Sequence, residues 1–81
     1  MISNEELQRR LMALDDVGHA MVQGDGYHYH VTLVSDRFEG QGTLARQQWV
    51  YAQLNDLIAS GQIHALQMKT WTNQEWETQH G

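Results

Sequence analysis

Leu7, Leu11 and Leu14 recur at helical spacing behind Ser3, and Glu6 stands three residues after that serine. The spacing predicts a helix over Ser3–Leu14, opened by a capping box in which a side-chain oxygen satisfies an otherwise unpaired N–H. Arg9 and Arg10 fall on its outer face, and Asp15-Asp16 end the pattern. The period then changes to two. Val17–Val22 alternates weakly, Gly24-Asp25-Gly26 reads as a turn, and Tyr27–Val34 is rich in aromatic and β-branched residues. Two strands around a glycine turn make a hairpin. In the second strand Tyr29, Val31 and Leu33 share one face, and His28, His30 and Thr32 share the other.

Ser35–Gly42 is a connector, with Phe38 as its anchor in the core. Thr43–Ala59 is the longest helical segment. Its expected inner face is Leu44, Gln47, Val50, Tyr51, Leu54, Leu57 and Ile58, with Trp49 on the opposite side beside Gln53 and Asp56. Ser60-Gly61 supplies a stop, because glycine can take the positive φ of a helix C-terminus. Ile63–Trp71 reads as a third strand, with His64, Leu66, Met68 and Thr70 on one face and Ile63, Ala65, Gln67 and Lys69 on the other. Thr72-Asn73-Gln74-Glu75 is a second capping box. It opens a short helix that Trp71 and Trp76 tie to the sheet, and His80 falls in a tail expected to fray. The order α-β-β-α-β-α predicts a single α+β domain over residues 1–81, a three-stranded sheet with helices on one face. The third strand lies too far from the hairpin for a tight turn, so a helical crossover can set it parallel to one neighbour.

Composition narrows the function. At 81 residues the chain buries roughly 60% of its unfolded surface, which leaves a thin core and puts any site on the surface. There is no cysteine, hence no disulfide, no thiolate nucleophile and no cysteine metal site. Any iron–sulfur cluster would need its sulfur ligands from another molecule. Five Lys and Arg against ten Asp and Glu give a net charge of −5, a poor supply for neutralising phosphates. The acidic, polar start carries no signal-peptide pattern, and the apolar runs are too short for a bilayer. A soluble, cytoplasmic protein without a membrane partner is expected.

Four stretches, in order, resemble one family. Val34-Ser35-Asp36-Arg37-Phe38-Glu39-Gly40 resembles the BolA signature in which a strand ends in Val-Ser and leads to Phe-(Asp/Glu)-Gly. Gln47-Gln48-Trp49-Val50-Tyr51 resembles the Gln-Gln-x-Val-Tyr of its IbaG (YrbA) branch. Ile63-His64-Ala65-Leu66 matches the (Ile/Val)-His-Ala-Leu motif, and Thr70–Trp76 resembles the Thr-x-Thr-x-x-Glu-Trp ending. The resemblance implies a class II KH-like fold and a non-enzymatic partner of monothiol glutaredoxins. The two proteins would share a bridged two-iron two-sulfur cluster with glutathione, in cluster handling or iron and stress regulation; alone, the chain would hold no cofactor. The histidine of the His-Ala-Leu motif is then a ligand, here His64, and the first hairpin loop often adds a second, for which His28 is the candidate. Three departures stand out. Arg46-Gln47-Gln48 replaces an Arg-His-Arg common in the long helix, no cysteine stands in the loop, and the proline usual before the final Glu-Trp is absent.

The residues permit competing readings. Neutral imidazole is a good ligand for iron or zinc, yet a histidine at a strand edge is more often simply hydrogen-bonded. His28 and His30, roughly 7 Å apart on one strand face, could chelate a metal ion with His64 in a stand-alone module, although a closed site needs three or four ligands. A DNA-binding regulator would place the long helix in the major groove, with Arg46 its only cation. Arg46, Trp49 and His30 are candidate partner contacts, and Trp49 could equally lie against the connector around Phe38. No Gly-x-x-Gly loop supports RNA binding, and no nucleophile has a catalytic neighbour. Exposed sheet edges allow a monomer or a weak homodimer.

Overall fold

A computed structural model describes residues 1–80. The chain runs α1 (Asn4–Met12), β1 (Val17–Gly24), β2 (His28–Ser35), a 3₁₀ turn (Asp36–Phe38), α2 (Thr43–Ala59), β3 (Ala65–Trp71) and α3 (Asn73–His80). The sheet order is β1-β2-β3, with β1 antiparallel and β3 parallel to β2. The crossover through α2 therefore sets strand direction as its length requires.

Both expected caps form. Ser3 Oγ accepts the Glu6 N–H at 3.1 Å. At α3 the box is reciprocal: Thr72 Oγ1 accepts the Glu75 N–H at 3.1 Å, and Glu75 Oε1 accepts the Thr72 N–H at 2.8 Å. α1 stops at Met12 rather than Leu14, because Asp16 turns the chain through a left-handed conformation (φ 72°) into β1. The helical spacing of Leu14 survives as packing, for it still rests on the core.

Leu7 and Leu11 of α1, Tyr29, Val31 and Leu33 of β2, and Val50, Leu54 and Leu57 of α2 are all at most 5% exposed. The period-two reading of β2 thus places its buried face as expected. α2 departs from expectation. Leu44 and Tyr51 are exposed, at 68% and 42%, whereas Trp49 packs inward beside the connector. The cause is Phe38: fully buried, it presents its ring to the edge of Trp49 at 5.8 Å and 80°, and Arg37 closes over the outer face of that indole at 4.8 Å. Periodicity within α2 could not register this partner, which comes from another segment.

Ile63, expected within β3 on the face of Ala65, Gln67 and Lys69, is instead a buried core residue in the turn before the strand. The α2 C-terminus explains why. Gly61 takes φ 80°, its N–H donates to Ile58 O at 3.1 Å and the Gln62 N–H donates to Leu57 O at 2.9 Å. This double bond pattern is a Schellman closure. It folds Ile63 back under the helix, where its N–H also reaches Leu57 O.

α1 and α2 occupy one face of the sheet. α3 begins beside α2 and then reaches over the sheet end: Trp76 meets Trp71 and His19, whose ladder positions beside Val34 lie opposite the Ala20, Leu33 and Thr70 pleat. His80 does not fray as expected. It is the last residue of α3 and stacks on Trp76 at 3.6 Å.

Arg46 joins these parts. Its Nε donates to Gln41 O at 2.8 Å, its Nη1 to Thr70 O at 3.2 Å, and both terminal nitrogens to the Glu75 carboxylate. One planar fork thus ties connector, α2, β3 and α3. Beside it, Ser35 Oγ donates to Asp16 O at 2.6 Å and accepts the Arg37 N–H at 3.1 Å, fixing the end of β2.

Two consequences are measurable. Leu54→Ala removes a fully buried side chain and will cost roughly 2–5 kcal/mol in urea denaturation; a loss below about 1 kcal/mol would mean the core collapses around the gap. Glu75 is held at about 2, against 4.5 for an ordinary glutamate, chiefly by the Arg46 guanidinium and then by the Thr72 N–H. The folded value is the lower one, so this stabilisation is complete above the unfolded value and is lost as pH falls from about 4.5 toward 2. Thermal melts over that range should show wild type losing more Tm than Glu75→Gln. Parallel curves would show that the pair carries no linkage.

Candidate functional site

Parallel pairing puts the starts of β2 and β3 side by side. The ladder opens with His28 beside Ala65, and the Ala65 N–H donates to Tyr27 O at 3.1 Å. The residue before each strand is therefore the lateral neighbour of the other: Tyr27 and His64. Their rings lie 5.4 Å apart, tilted by 42°. His64 is exposed and stands in the turn just before β3, one residue short of the strand in which it was expected. Its ring has no hydrogen bond among the described residues. The Schellman closure produces this placement: burying Ile63 sends the next side chain outward.

The hairpin turn supplies the other half. Asp25 Oδ1 accepts the N–H groups of Tyr27 and His28, each at 2.9 Å. These two bonds hold the Asp25 carboxyl at about 2, below the usual carboxylate range. Gly26 takes φ 95°. At Gly24 a Cβ would stand 2.4 Å from the His28 carbonyl oxygen, so only glycine allows the strands to meet so closely. His28 projects from this turn with its side chain 77% exposed, Nδ1 lying 3.6 Å from Asp25 Oδ2.

His30 lies on the open face of the sheet, between Gln23 and Gln67 in the ladder. It shares an open cleft of about 580 Å³ with His28, Gln23, Ala65 and Gln67. His64 neighbours Tyr27 instead, and no group of three or more His, Asp or Glu side chains able to hold a metal ion forms among the described residues. A three-histidine module from His28, His30 and His64 is thus not assembled. Two exposed imidazoles, His28 and His64, thus stand at one end of the sheet, where β2 and β3 begin.

The other candidates turn inward. Arg46 has only 13% of its side chain exposed and is engaged within the chain. It is the only Lys or Arg of α2, so a groove-binding helix would lack a free cation. Trp49 rests against Phe38 beneath Arg37, the alternative that the sequence left open. Sequence reasoning passed over Asp25 and Tyr27. The signal for Asp25 was its place in a Gly-Asp-Gly turn, where Asp commonly bonds the backbone two residues on. Nothing local marked Tyr27, because its partner is brought by the crossover.

No helix among the described residues is long and apolar enough to cross a membrane. The family model for BolA-like proteins matches residues 4–75. The chain is 37% identical over 75 residues to the acid stress protein IbaG of Escherichia coli K12, covering 93% of this chain and 89% of that one. A BolA homologue from Coxiella burnetii superposes with a TM-score of 0.79 at 34% identity, over 95% of this chain and 99% of the other. A BolA-like protein from Babesia bovis gives a TM-score of 0.82 at 30% identity, over 100% and 96%. With sequence, topology and a family model spanning the sheet, the His-Ala-Leu motif and the Thr72–Glu75 cap all in agreement, the chain belongs to the BolA family, in its IbaG-like branch.

Proposed function

We propose that this chain is a binding partner of a monothiol glutaredoxin and lends histidine ligands, His64 first and His28 second, to a two-iron two-sulfur cluster bridged between the two proteins and glutathione. The observation that carries this reading is the parallel start of β2 and β3, which brings an exposed His64 and the exposed His28 turn to one end of the sheet. Family membership supplies the kind of partner, and the donor set supports it. The chain has no cysteine and among its described residues builds no closed metal site, so thiolates must come from the other protein. The bound cluster would offer iron transfer or sensing, and nitrogen in place of sulfur on one iron changes its potential and its lability. The chain's own contribution is to present imidazoles from two short turns and to leave the surrounding surface open for a second protein.

The test is reconstitution. The chain, a monothiol glutaredoxin and glutathione are combined anaerobically with iron and sulfide, then passed through size exclusion with absorbance and circular dichroism recorded. A stoichiometric complex is expected, with a spectrum distinct from that of the glutaredoxin alone. His64→Ala should abolish the distinct spectrum, and His28→Ala should alter it more than His30→Ala does. If the chain elutes alone, or if His64→Ala leaves the spectrum untouched, the reading fails.

A further inference from the structure

Asp25 contacts His28 directly and is linked to His64 only through Tyr27. Its Oδ1 receives the Tyr27 and His28 amides, and its own N–H donates to His28 O at 3.3 Å. The turn is thereby closed around one carboxylate. The second oxygen of that carboxylate faces His28 Nδ1. The same closure fixes the backbone of Tyr27, whose carbonyl takes the first β3 amide and whose ring lies against His64. Asn4 anchors the turn from α1, its Nδ2 donating to Gly24 O at 3.2 Å.

We propose that Asp25 is the positioning residue of this site: it sets His28 with Nε2 facing out of the turn, and it holds Tyr27 as the wall against which His64 is set. The proposal rests on the reading of His28 and His64 as ligands and goes beyond it by naming what orders them. A carboxylate behind a ligating imidazole fixes the tautomer and the orientation of the ring. At 3.6 Å the Asp25–His28 contact is longer than a hydrogen bond. The two backbone bonds therefore carry the positioning, and the negative charge beside Nδ1 favours the ring proton on that nitrogen. The arrangement also separates His28 from His30, since only His28 has a carboxylate beside its Nδ1.

Three variants of the full chain separate these effects. Asp25→Asn keeps an oxygen for the two amides and removes the carboxylate. Asp25→Ala removes both, and Tyr27→Ala removes only the wall. The readouts are amide hydrogen exchange at Tyr27 and His28 and the imidazole nitrogen resonances, with circular dichroism confirming the fold. In Asp25→Ala, exchange at both amides should rise roughly tenfold and the His64 ring resonances should move. In Asp25→Asn the amides stay protected and His64 stays put, while His28 shifts from the Nδ1–H tautomer toward Nε2–H. Tyr27→Ala moves His64 and leaves the His28 tautomer unchanged. Unaltered exchange and an unmoved His64 in Asp25→Ala would overturn the proposal, as would an identical His28 tautomer in wild type and Asp25→Asn. In the glutaredoxin reconstitution, Asp25→Ala should yield several-fold less complex than wild type. Equal yields would sink the positioning role and leave the ligand reading standing. A wild type that forms no complex sinks the ligand reading, while exchange and tautomer still decide what Asp25 positions.

Discussion

The parallel pairing of β2 with β3 is the constraint on which the rest of the structure depends. An antiparallel third strand would have put His64 at the far end of the sheet from the hairpin turn. A parallel one needs a crossover long enough to return the chain to its starting edge, and α2 is that crossover. Everything that fixes the ends of α2 therefore fixes the site. At its C-terminus the Gly61 closure buries Ile63 and turns His64 outward. At its N-terminus Arg46 binds the connector, the end of β3 and the first turn of α3.

These two ends divide the molecule by task. Around Arg46 the polar groups are turned inward, and the guanidinium is fully engaged, although Gln41 Oε1 and Trp71 Nε1 are buried without partners among the described residues. A charge-assisted fork here supports a core that is thin in so small a domain. Phe38 lies under that fork and packs on Trp49, and Trp71 and Trp76 pair at the same end of the sheet. At the opposite end the polar groups face outward. His64 and His28 are exposed, and Asp25 bonds the backbone of its own turn. The proposed shared site would rest on this form: side chains on short turns, held by a rigid ladder, with open surface around them.

Arg46 shows how a family resemblance and local chemistry can point different ways. As the one cation of a long helix it invited a role in binding a partner or a nucleic acid. Its guanidinium instead compensates Glu75 and donates to one carbonyl of the connector, Gln41 O, and one of β3, Thr70 O. Trp49 is parallel. A tryptophan off the apparent apolar stripe looked like an exposed anchor, yet the connector supplies Phe38 and Arg37 to enclose it.

Local signals were enough to determine the element order, the hairpin, the Ser3 cap and the Thr72–Glu75 capping box, the buried face of β2 and the span of α2, because each depends on residues within a few positions of one another. The same holds for the exposure of His28, which follows from the pleat and a glycine turn. The inner face of α2, the inward turn of Ile63 and the company of each histidine were decided only by tertiary structure. They depend on residues that the crossover brings together from distant segments: Phe38 with Trp49, Gly61 with the helix end it folds back on, Tyr27 with His64. Periodicity records which side of an element is apolar, but the element's rotation is set by whatever large side chain must be covered, and here that side chain lies in the connector.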